Sequence, residues 1–399
     1  MSLNNNQAKT IVNEAIAQST GSKVIATLDL QEIVDNGNDS TIVGSKESFT
    51  KSLINVISKN WFEDSSYRSE YSDIFFEDSA KMGALTQMVS VESPEAQESH
   101  AWKDFSPVTL EGNTTYAEAG VYKLYLPVVH SQVYGKSISW ELPIAITDEQ
   151  WDTAFTSVDE LKQFVNYVFM VVDNAIVMHL ENMNNSNRNA FIAEKFLAQE
   201  SLEVKGIHAV NLIAEYQSTL ETKSNMTVEQ FLNSDDALQW CSEYMKNMIT
   251  LLKKPTRLFN TAGRLRFIPN NRLVFQLNSL FKNRVERKAY TNAFNEEFVK
   301  LPLHDVVPFW QAVGNGATWE ECTSIDVKVT SNNAPVKKAN IVGLLADKWA
   351  IVHTIKNHRV AVTRFDPEAV TQYYNQFRDS YMNNLTMNAI VLYLSDYTV

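Results

Sequence analysis

The sequence has 399 residues, of which 44% are hydrophobic and 21% are charged, so it can form two or three domain-sized units with a sizeable core. Its net charge of −12 gives no support for a nucleic-acid-binding protein, and its two cysteines argue against a disulfide framework or a zinc cluster. The 12 glycines are few for a nucleotide-binding enzyme, whose phosphate loops need glycine. The chain has no run of about 18 apolar residues, so we expect no transmembrane helix.

The N-terminal region begins with a helical pattern and then becomes polar. We expect residues 35 to 48 to form a loop or an extended arm. Between residues 61 and 100 there are nine acidic side chains against Arg68 and Lys81, interleaved with aromatic residues. This pattern favours a helix that places an aromatic face on the core.

Residues 101 to 145 are rich in short β-type runs, which predict a long hairpin or ribbon. Prolines at 107, 127 and 143 indicate edge strands. Two helix starts follow, a capping box from Thr147 to Gln150 and a second, stronger one at Ser157. Apolar residues then recur every three or four positions, which predicts one helix of more than 30 residues.

Residues 206 to 340 mix helices with loops, and the segment from 253 to 288 is strongly basic. It contains ten Lys or Arg residues against Glu286 alone. One interpretation is a solvated surface. A second is contact with nucleic acid, because Phe259, Phe267 and Phe275 are interleaved with the cations. The third is docking onto an acidic surface such as residues 61 to 100 of another copy.

The sequence contains no complete catalytic or nucleotide-binding motif. Gly135, Lys136 and Ser137 resemble the end of a phosphate-binding loop, but His130 stands where the first glycine is needed. We expect His353 and His358 to lie on opposite faces of a strand, where they would not share a metal ion. The sequence therefore predicts no enzyme, no cofactor and no metal site.

Two segments carry a resemblance to a known family. Residues 140 to 184 look like the end of a loop that leads into a long helix. Residues 344 to 394 look like a C-terminal return of three strands. Asp347 precedes the first strand (349 to 354), and Arg359 and Arg364 lie on the second. An aromatic connector with Tyr373 and Tyr374 then leads to a closing strand (387 to 394). In this order the segments resemble the major capsid proteins of tailed bacteriophages with the Hong Kong 97-type fold, especially those of phi29-like phages.

The resemblance implies an α+β fold with four parts. Residues 1–83 correspond to the N-terminal arm with the acidic segment, and residues 84–145 to the E-loop ribbon. Residues 146–205 and 345–384 correspond to the P-domain, which contains the spine helix and the return strands. Residues 206–344 and 385–399 correspond to the A-domain.

The implied function is that of a major head protein, which self-assembles into hexamers and pentamers of an icosahedral shell around double-stranded DNA. Implied partners are other copies of the chain, scaffolding, portal and other head proteins, and packaged DNA bound without sequence specificity; no membrane is expected. The implied location is the virion, after assembly in the bacterial cytoplasm. An encapsulin-type nanocompartment shell is an alternative, and an unrecognised soluble enzyme is a further one.

We expect contacts between subunits to involve charged and aromatic side chains of the ribbon, the basic segment and the return strands. The candidates are Lys123, Lys136, Trp140, Arg257, Arg264, Arg266, Arg272, Arg359 and Arg364.

Overall fold

A computed structural model of the chain describes residues 5–21, 28–35, 45–64, 75–78, 86–92, 108–110, 113–115, 128–134, 138–202, 206–292, 301–302, 304–311, 318–329, 335–365 and 369–398. In these residues the fold is α+β, as the sequence predicts. The helices are α1 (Asn5–Ser19), α2 (Leu30–Asp35), α3 (Lys46–Asp64), α4 (Asp148–Ala154), α5 (Val158–Glu200), α6 (Leu212–Thr219), α7 (Val228–Asn233), α8 (Asp235–Leu252), α9 (Ser279–Asn292) and α10 (Trp319–Thr323).

The strands follow the chain in groups. They are β1 (Phe75–Asp78), β2 (Thr86–Glu92), β3 (Val108–Leu110), β4 (Asn113–Thr115), β5 (Val128–Tyr134), β6 (Ile138–Thr147), β7 (Ala209–Asn211), β8 (Leu273–Asn278), β9 (Asp305–Val307), β10 (Ile325–Lys328), β11 (Pro335–Lys338), β12 (Ile341–Asp347), β13 (Ile351–Phe365), β14 (Val370–Asn383) and β15 (Ala389–Tyr393).

Two sheets organise the described residues. The first sheet has the order β1-β13-β14-β6, and the second has the order β7-β15-β12-β8-β9. β2 and β5 pair antiparallel as a separate two-stranded ribbon, and β3 pairs antiparallel with β4. β6 pairs along its whole length with β14, so residues 138 to 145 belong to the first sheet, whereas we expected them in the ribbon.

The long helix α5 connects two hydrophobic cores. Its first half, from Leu161 to Leu180, packs with α1 to α4 and the first sheet. Its second half, including Phe191 and Phe196, packs on one face of the second sheet. Helices α6 to α9 cover the other face of that sheet. The central strand β12 is therefore buried on both faces along its whole length, as its continuous apolar run requires.

The predicted helix starts are confirmed. Thr147 is the N-cap of α4 and forms a full capping box with Gln150. Ser157 is the N-cap of α5, where its hydroxyl accepts a hydrogen bond from the Glu160 N–H at 3.2 Å. No reciprocal bond from the Glu160 side chain is seen, so the more complete box is the one at Thr147. With 43 residues, α5 exceeds the expected 30.

We expect Ser157→Ala to lower the free energy of unfolding by about 1 kcal/mol, because the Glu160 N–H loses its acceptor at the start of α5. Ser157→Asp keeps an acceptor there and should retain most of the stability. Urea denaturation of the unassembled subunit measures both variants. An unchanged midpoint for Ser157→Ala would contradict a contribution of this cap.

By length and composition alone, α5 is able to cross a membrane, which differs from the expectation that no such helix exists. The core helix of a soluble protein passes the same test. Five apolar side chains along its first half, Leu161, Val165, Val168, Val172 and Ile176, are fully buried. They belong to the core that α5 shares with α3 and the first sheet, so we interpret α5 as a core helix.

The C-terminal return differs from its predicted form. The two short strands expected around Arg359 are one 15-residue strand, β13, and the expected aromatic connector is the 14-residue strand β14. Alternate residues of β14 are buried from Thr371 to Asp379. Three of these, Thr371, Asn375 and Asp379, are polar, which is why the strand resembles a loop in sequence. The closing strand is confirmed as β15.

His353 and His358 lie on the same face of β13, so the expectation of opposite faces is wrong. His353 pairs with Tyr381, whose ring it stacks on at 4.4 Å, and His358 pairs with Phe377 at 4.8 Å between ring centroids. These partners are four residues apart on β14 and therefore share a face. The pairing register shifts after Ile355, and this irregularity restores the face that an odd spacing would change.

Residues 61 to 100 do not form the single helix that we expected. α3 ends at Asp64, and β1 and β2 follow within the segment. β1 pairs parallel with β13 at the edge of the first sheet. The N-terminal region is also more helical than an extended arm, because α3 begins at Lys46, inside the stretch expected to be loose.

Candidate assembly surface

A groove lies where the ribbon meets the second sheet and the loop between α8 and β8. Its volume is about 410 Å³. We call it the arginine groove. The residues that line it are Val89, Ser90, Val91, His130, Pro255, Arg264, Leu265, Arg266, Phe267, Pro269, Arg272, Asp347, Trp349, Met387 and Asn388. It thus combines three arginines of the predicted basic segment with exposed apolar side chains.

Arg272 is held within the subunit by Asp347 at the end of β12. The guanidinium donates from Nε to the Asp347 carboxylate at 3.0 Å and makes a second, short bond through its terminal nitrogen. It also lies 3.8 Å over the Trp349 ring. Asp347 is buried and accepts the Trp349 N–H at 3.0 Å as well. This paired carboxylate fixes one wall of the groove.

Two buried asparagines hold the arginine-bearing loop in place. The Asn260 side chain bonds both the carbonyl and the N–H of Arg264, each at 2.8 Å. The Asn388 side-chain amide donates to the Arg266 carbonyl at 2.9 Å and its oxygen accepts from Asn260 at 3.0 Å. A loop without regular structure thereby acquires a fixed backbone, which positions both arginine side chains.

Lys195 lies beneath this loop, fully buried near the end of α5. Its ammonium donates to the carbonyls of Phe259 at 3.2 Å and Met387 at 3.5 Å, and the structure shows no carboxylate paired with it among the described residues. Burial lowers the pKa of Lys195 to about 7. The pKa of nearby His208 falls to about 4 because of burial and the positive charge of Lys195.

Arg266 connects the loop to the ribbon. Its guanidinium donates to the Ser90 hydroxyl at 2.8 Å, across the groove, and contacts the sulfur of Met387. The guanidinium of Arg264 is half-buried and makes no hydrogen bond to any described residue. Phe267, Val89 and Val91 are each more than half exposed beside these cations. The groove thus offers positive charge and apolar surface together.

The interleaved phenylalanines do not form a stacking platform for nucleotide bases. Phe259 and Phe275 are core residues, and only Phe267 is exposed, at 55%. Successive exposed aromatic rings are what such a platform needs. The structure therefore removes the observation that favoured nucleic-acid contact by the basic segment.

The arginines of the first sheet have partners within the subunit. Arg359 donates to Gln376 at 2.7 Å, which in turn donates to Glu141 at 3.1 Å, so the three side chains cross β13, β14 and β6. Arg364 reaches Asp148 at 2.9 Å and Glu47 at 3.6 Å, which connects the sheet to α4 and α3. Their predicted contacts with neighbouring subunits stay predictions.

Of the three contact candidates expected on the ribbon, one lies within the described residues. Trp140 lies on β6, and its ring stacks between His179 at 3.9 Å and Phe377 at 4.1 Å. Its Nε1 donates to the buried Asp379 at 2.7 Å. These contacts pack the half-buried ring against the core of its own subunit. The predicted contact of Trp140 with a neighbouring subunit stays a prediction. Lys123 and Lys136 lie outside the described residues.

Other chemistry-bearing groups are embedded in the core. Burial raises the pKa of the Cys241 thiol, which makes it a poor nucleophile. Burial also lowers the pKa of His179 and of His358. Among the residues that the structure describes, no cluster of three or more His, Cys, Asp or Glu side chains is arranged to hold a metal ion.

The remaining contact candidate, Arg257, is exposed at the start of the loop between α8 and β8.

The chain matches a protein family over nearly its whole length. The model of the family described as Phi29-like phage major capsid protein matches residues 8–393. No curated protein sequence matches the chain.

Structural similarities are with phage heads. A capsid protein of Staphylococcus phage Andhra has 10% identity and a TM-score of 0.46, covering 81% of this chain and 83% of its own. A capsid protein of cyanophage P-SCSP1u has 12% identity and a TM-score of 0.38, covering 82% and 88%. The assignment of the chain to a family rests on the family match over residues 8–393 and not on these structural similarities. The chain belongs to the family of Phi29-like phage major capsid proteins.

Proposed function

We propose that copies of this chain assemble into hexamers and pentamers, which close into an icosahedral head around double-stranded DNA. The observation that carries this proposal is the family match over residues 8–393. It favours a phage head over a nanocompartment shell or a soluble enzyme. Assembly takes place in the bacterial cytoplasm, with scaffolding and portal proteins as partners, and the mature protein resides in the virion.

The DNA is enclosed without being bound at specific sequences. The net charge of −12 opposes strong attraction to phosphate. The basic segment supplies no stacked aromatic surface, because Phe259 and Phe275 are buried. A container that fills with DNA and later releases it needs little affinity for it.

The arginine groove serves as a contact between subunits. Its free guanidinium at Arg264, its cation at Arg266 and its exposed Phe267 suit a segment with both acidic and aromatic residues. Residues 61 to 100 of a neighbouring copy have this composition. Complementary charge at such contacts sets the register of the lattice and suppresses wrong pairings.

We expect the double variant Arg264→Glu, Arg266→Glu to reduce the yield of shells at least tenfold while the subunit still folds. The groove then repels the acidic segment that it is proposed to bind, and like charges in contact oppose association. Negative-stain microscopy and sedimentation measure the yield, and circular dichroism measures folding.

The matched control is Lys253→Glu, Lys254→Glu. It changes the net charge by the same amount at two exposed residues that do not line the groove. It should assemble normally. Shells at normal yield from the Arg264, Arg266 variant would refute the groove contact, and equal losses from both variants would show that only net charge matters.

A further inference from the structure

The first half of α5 carries an exposed face that contains no charged side chain. We call it the uncharged face, and its members are Gln163, Tyr167, Met170, Asn174 and Met178. At about 100° per residue these five positions fall within roughly 80° of one another, along about 22 Å of helix. Tyr167, Met170 and Met178 are 47%, 49% and 61% exposed. Large apolar side chains in one row on a surface mark an interaction site.

This face ends in an acidic groove between α4 and the start of α5. The groove has a volume of about 410 Å³, and Gln163 and Tyr167 line it, so it is continuous with the uncharged face. Glu149 and Glu160 are also in its lining. Neither carboxylate forms an ion pair with a described cation, and Lys162, near the start of α5, lies 3.7 Å from Asp159 instead. A ligand of the whole surface therefore needs an apolar stretch that ends in positive charge.

Charge selects between the possible occupants. DNA is disfavoured, because its phosphates would meet two carboxylates and no cation of the uncharged face. A second copy bound through the same face is disfavoured as well. No Lys or Arg occurs between Lys162 and Arg188. If a second copy bound antiparallel through the same face, its Glu181 would lie near the acidic groove, and no cation would lie there.

We propose that the uncharged face and the acidic groove together bind an amphipathic helix of a different head protein. That helix presents Leu or Met side chains at intervals of three and four residues and carries Lys or Arg at the end that enters the groove. The methionines suit this role because their flexible, polarisable side chains adapt to a partner's shape. Helix-in-groove recognition reads such i, i+4, i+7 rows. The proposal rests on the proposed function only for the source of the partner.

The test uses two labelled synthetic helices and purified capsomers of the full chain. The helices share one Leu/Met row; one ends in three lysines and the other in three glutamates. Fluorescence anisotropy should show the lysine helix binding at least tenfold more tightly. Met170→Glu, Met178→Glu should abolish this binding, and Glu149→Lys, Glu160→Lys should reverse the preference. Ser186→Glu, exposed on the same helix but rotated about 80° from Met178, should bind like the wild type.

Equal binding of the two helices, or normal binding by Met170→Glu, Met178→Glu, would overturn the proposal. Two further probes identify other occupants. One probe is binding of a labelled 20-base-pair DNA, and the other is self-association in sedimentation. If the wild type shows either and Met170→Glu, Met178→Glu loses it, the proposal is overturned. Shell formation is scored separately by microscopy. Wild-type shells without helix binding refute this inference alone. Helix binding, with no shells from the chain alone or together with other head proteins, refutes the proposed function alone.

Discussion

Arg272→Ala should lower the free energy of unfolding by about 3–5 kcal/mol, the largest loss that we expect from one substitution. The variant leaves the buried carboxylate of Asp347 without its bidentate partner. The Trp349 N–H at 3.0 Å is then the remaining described donor to that charge. An uncompensated buried charge destabilises far more than a missing surface ion pair. Chemical denaturation of the unassembled subunit measures the loss.

A second substitution separates the carboxylate charge from lost packing. Asp347→Asn in the Arg272→Ala background removes the unpaired charge and keeps an acceptor for the Trp349 N–H. We expect this double variant to recover at least half of the lost stability. A loss below about 1 kcal/mol in Arg272→Ala, in the range of an exposed pair, would show that Asp347 does not depend on Arg272.

Lys195→Met should raise the free energy of unfolding by about 1–4 kcal/mol at pH 6. The charged ammonium is buried without a carboxylate, and its pKa is lowered to about 7 from an ordinary value near 10.5. Between these pH values the unfolded chain binds a proton that the folded chain has released. Stability of the wild type therefore rises with pH from about 7 to about 10.5, and the penalty is complete below pH 7.

The measurement is the pH dependence of unfolding in both proteins. Lys195→Met should lose the rise between pH 7 and pH 10 and converge with the wild type at the alkaline end. His208 does not contribute to the rise between pH 7 and pH 10, because its lowered pKa changes the stability only below pH 6.5. Lys337→Met, at a largely exposed lysine, is the control and should keep the rise. A Lys195→Met protein that is less stable at pH 6 would contradict the account.

Local signals in the sequence predict part of the fold. The caps at Thr147 and Ser157 predict where α4 and α5 begin, and apolar periodicity predicts that α5 exceeds 30 residues. These elements depend on neighbours in sequence, so their signals are visible without the tertiary structure.

Elements defined by long-range packing escape sequence reasoning. β14 buries Asn375 and Asp379 in alternation with aromatic residues, and polar side chains of this kind are typical of loops until their partners are known. The register shift after Ile355 likewise has no local signal. Both depend on the pairing of β13, β14 and β6 in one sheet.

The sequence predicts that the basic segment contributes contact residues, but it does not predict what holds them in place. Three arginines of that segment line the groove, and their contact with another subunit stays a prediction. Asn260 and Asn388, which hold its loop, are 128 residues apart and bear no local signal. Lys195 has a local signal, because it lies four and three residues after the apolar Phe191 and Ile192, on the same helix face. A cation on an apolar helix face indicates a buried site.

The most direct test of the central claim is electron microscopy of the full chain, expressed alone and together with the other head proteins of the same phage. A shell protein should yield closed icosahedral particles, with hexamers and pentamers resolved after averaging, in at least one of the two preparations. Only small, discrete oligomers in both preparations, from protein that is folded by circular dichroism, would contradict the claim.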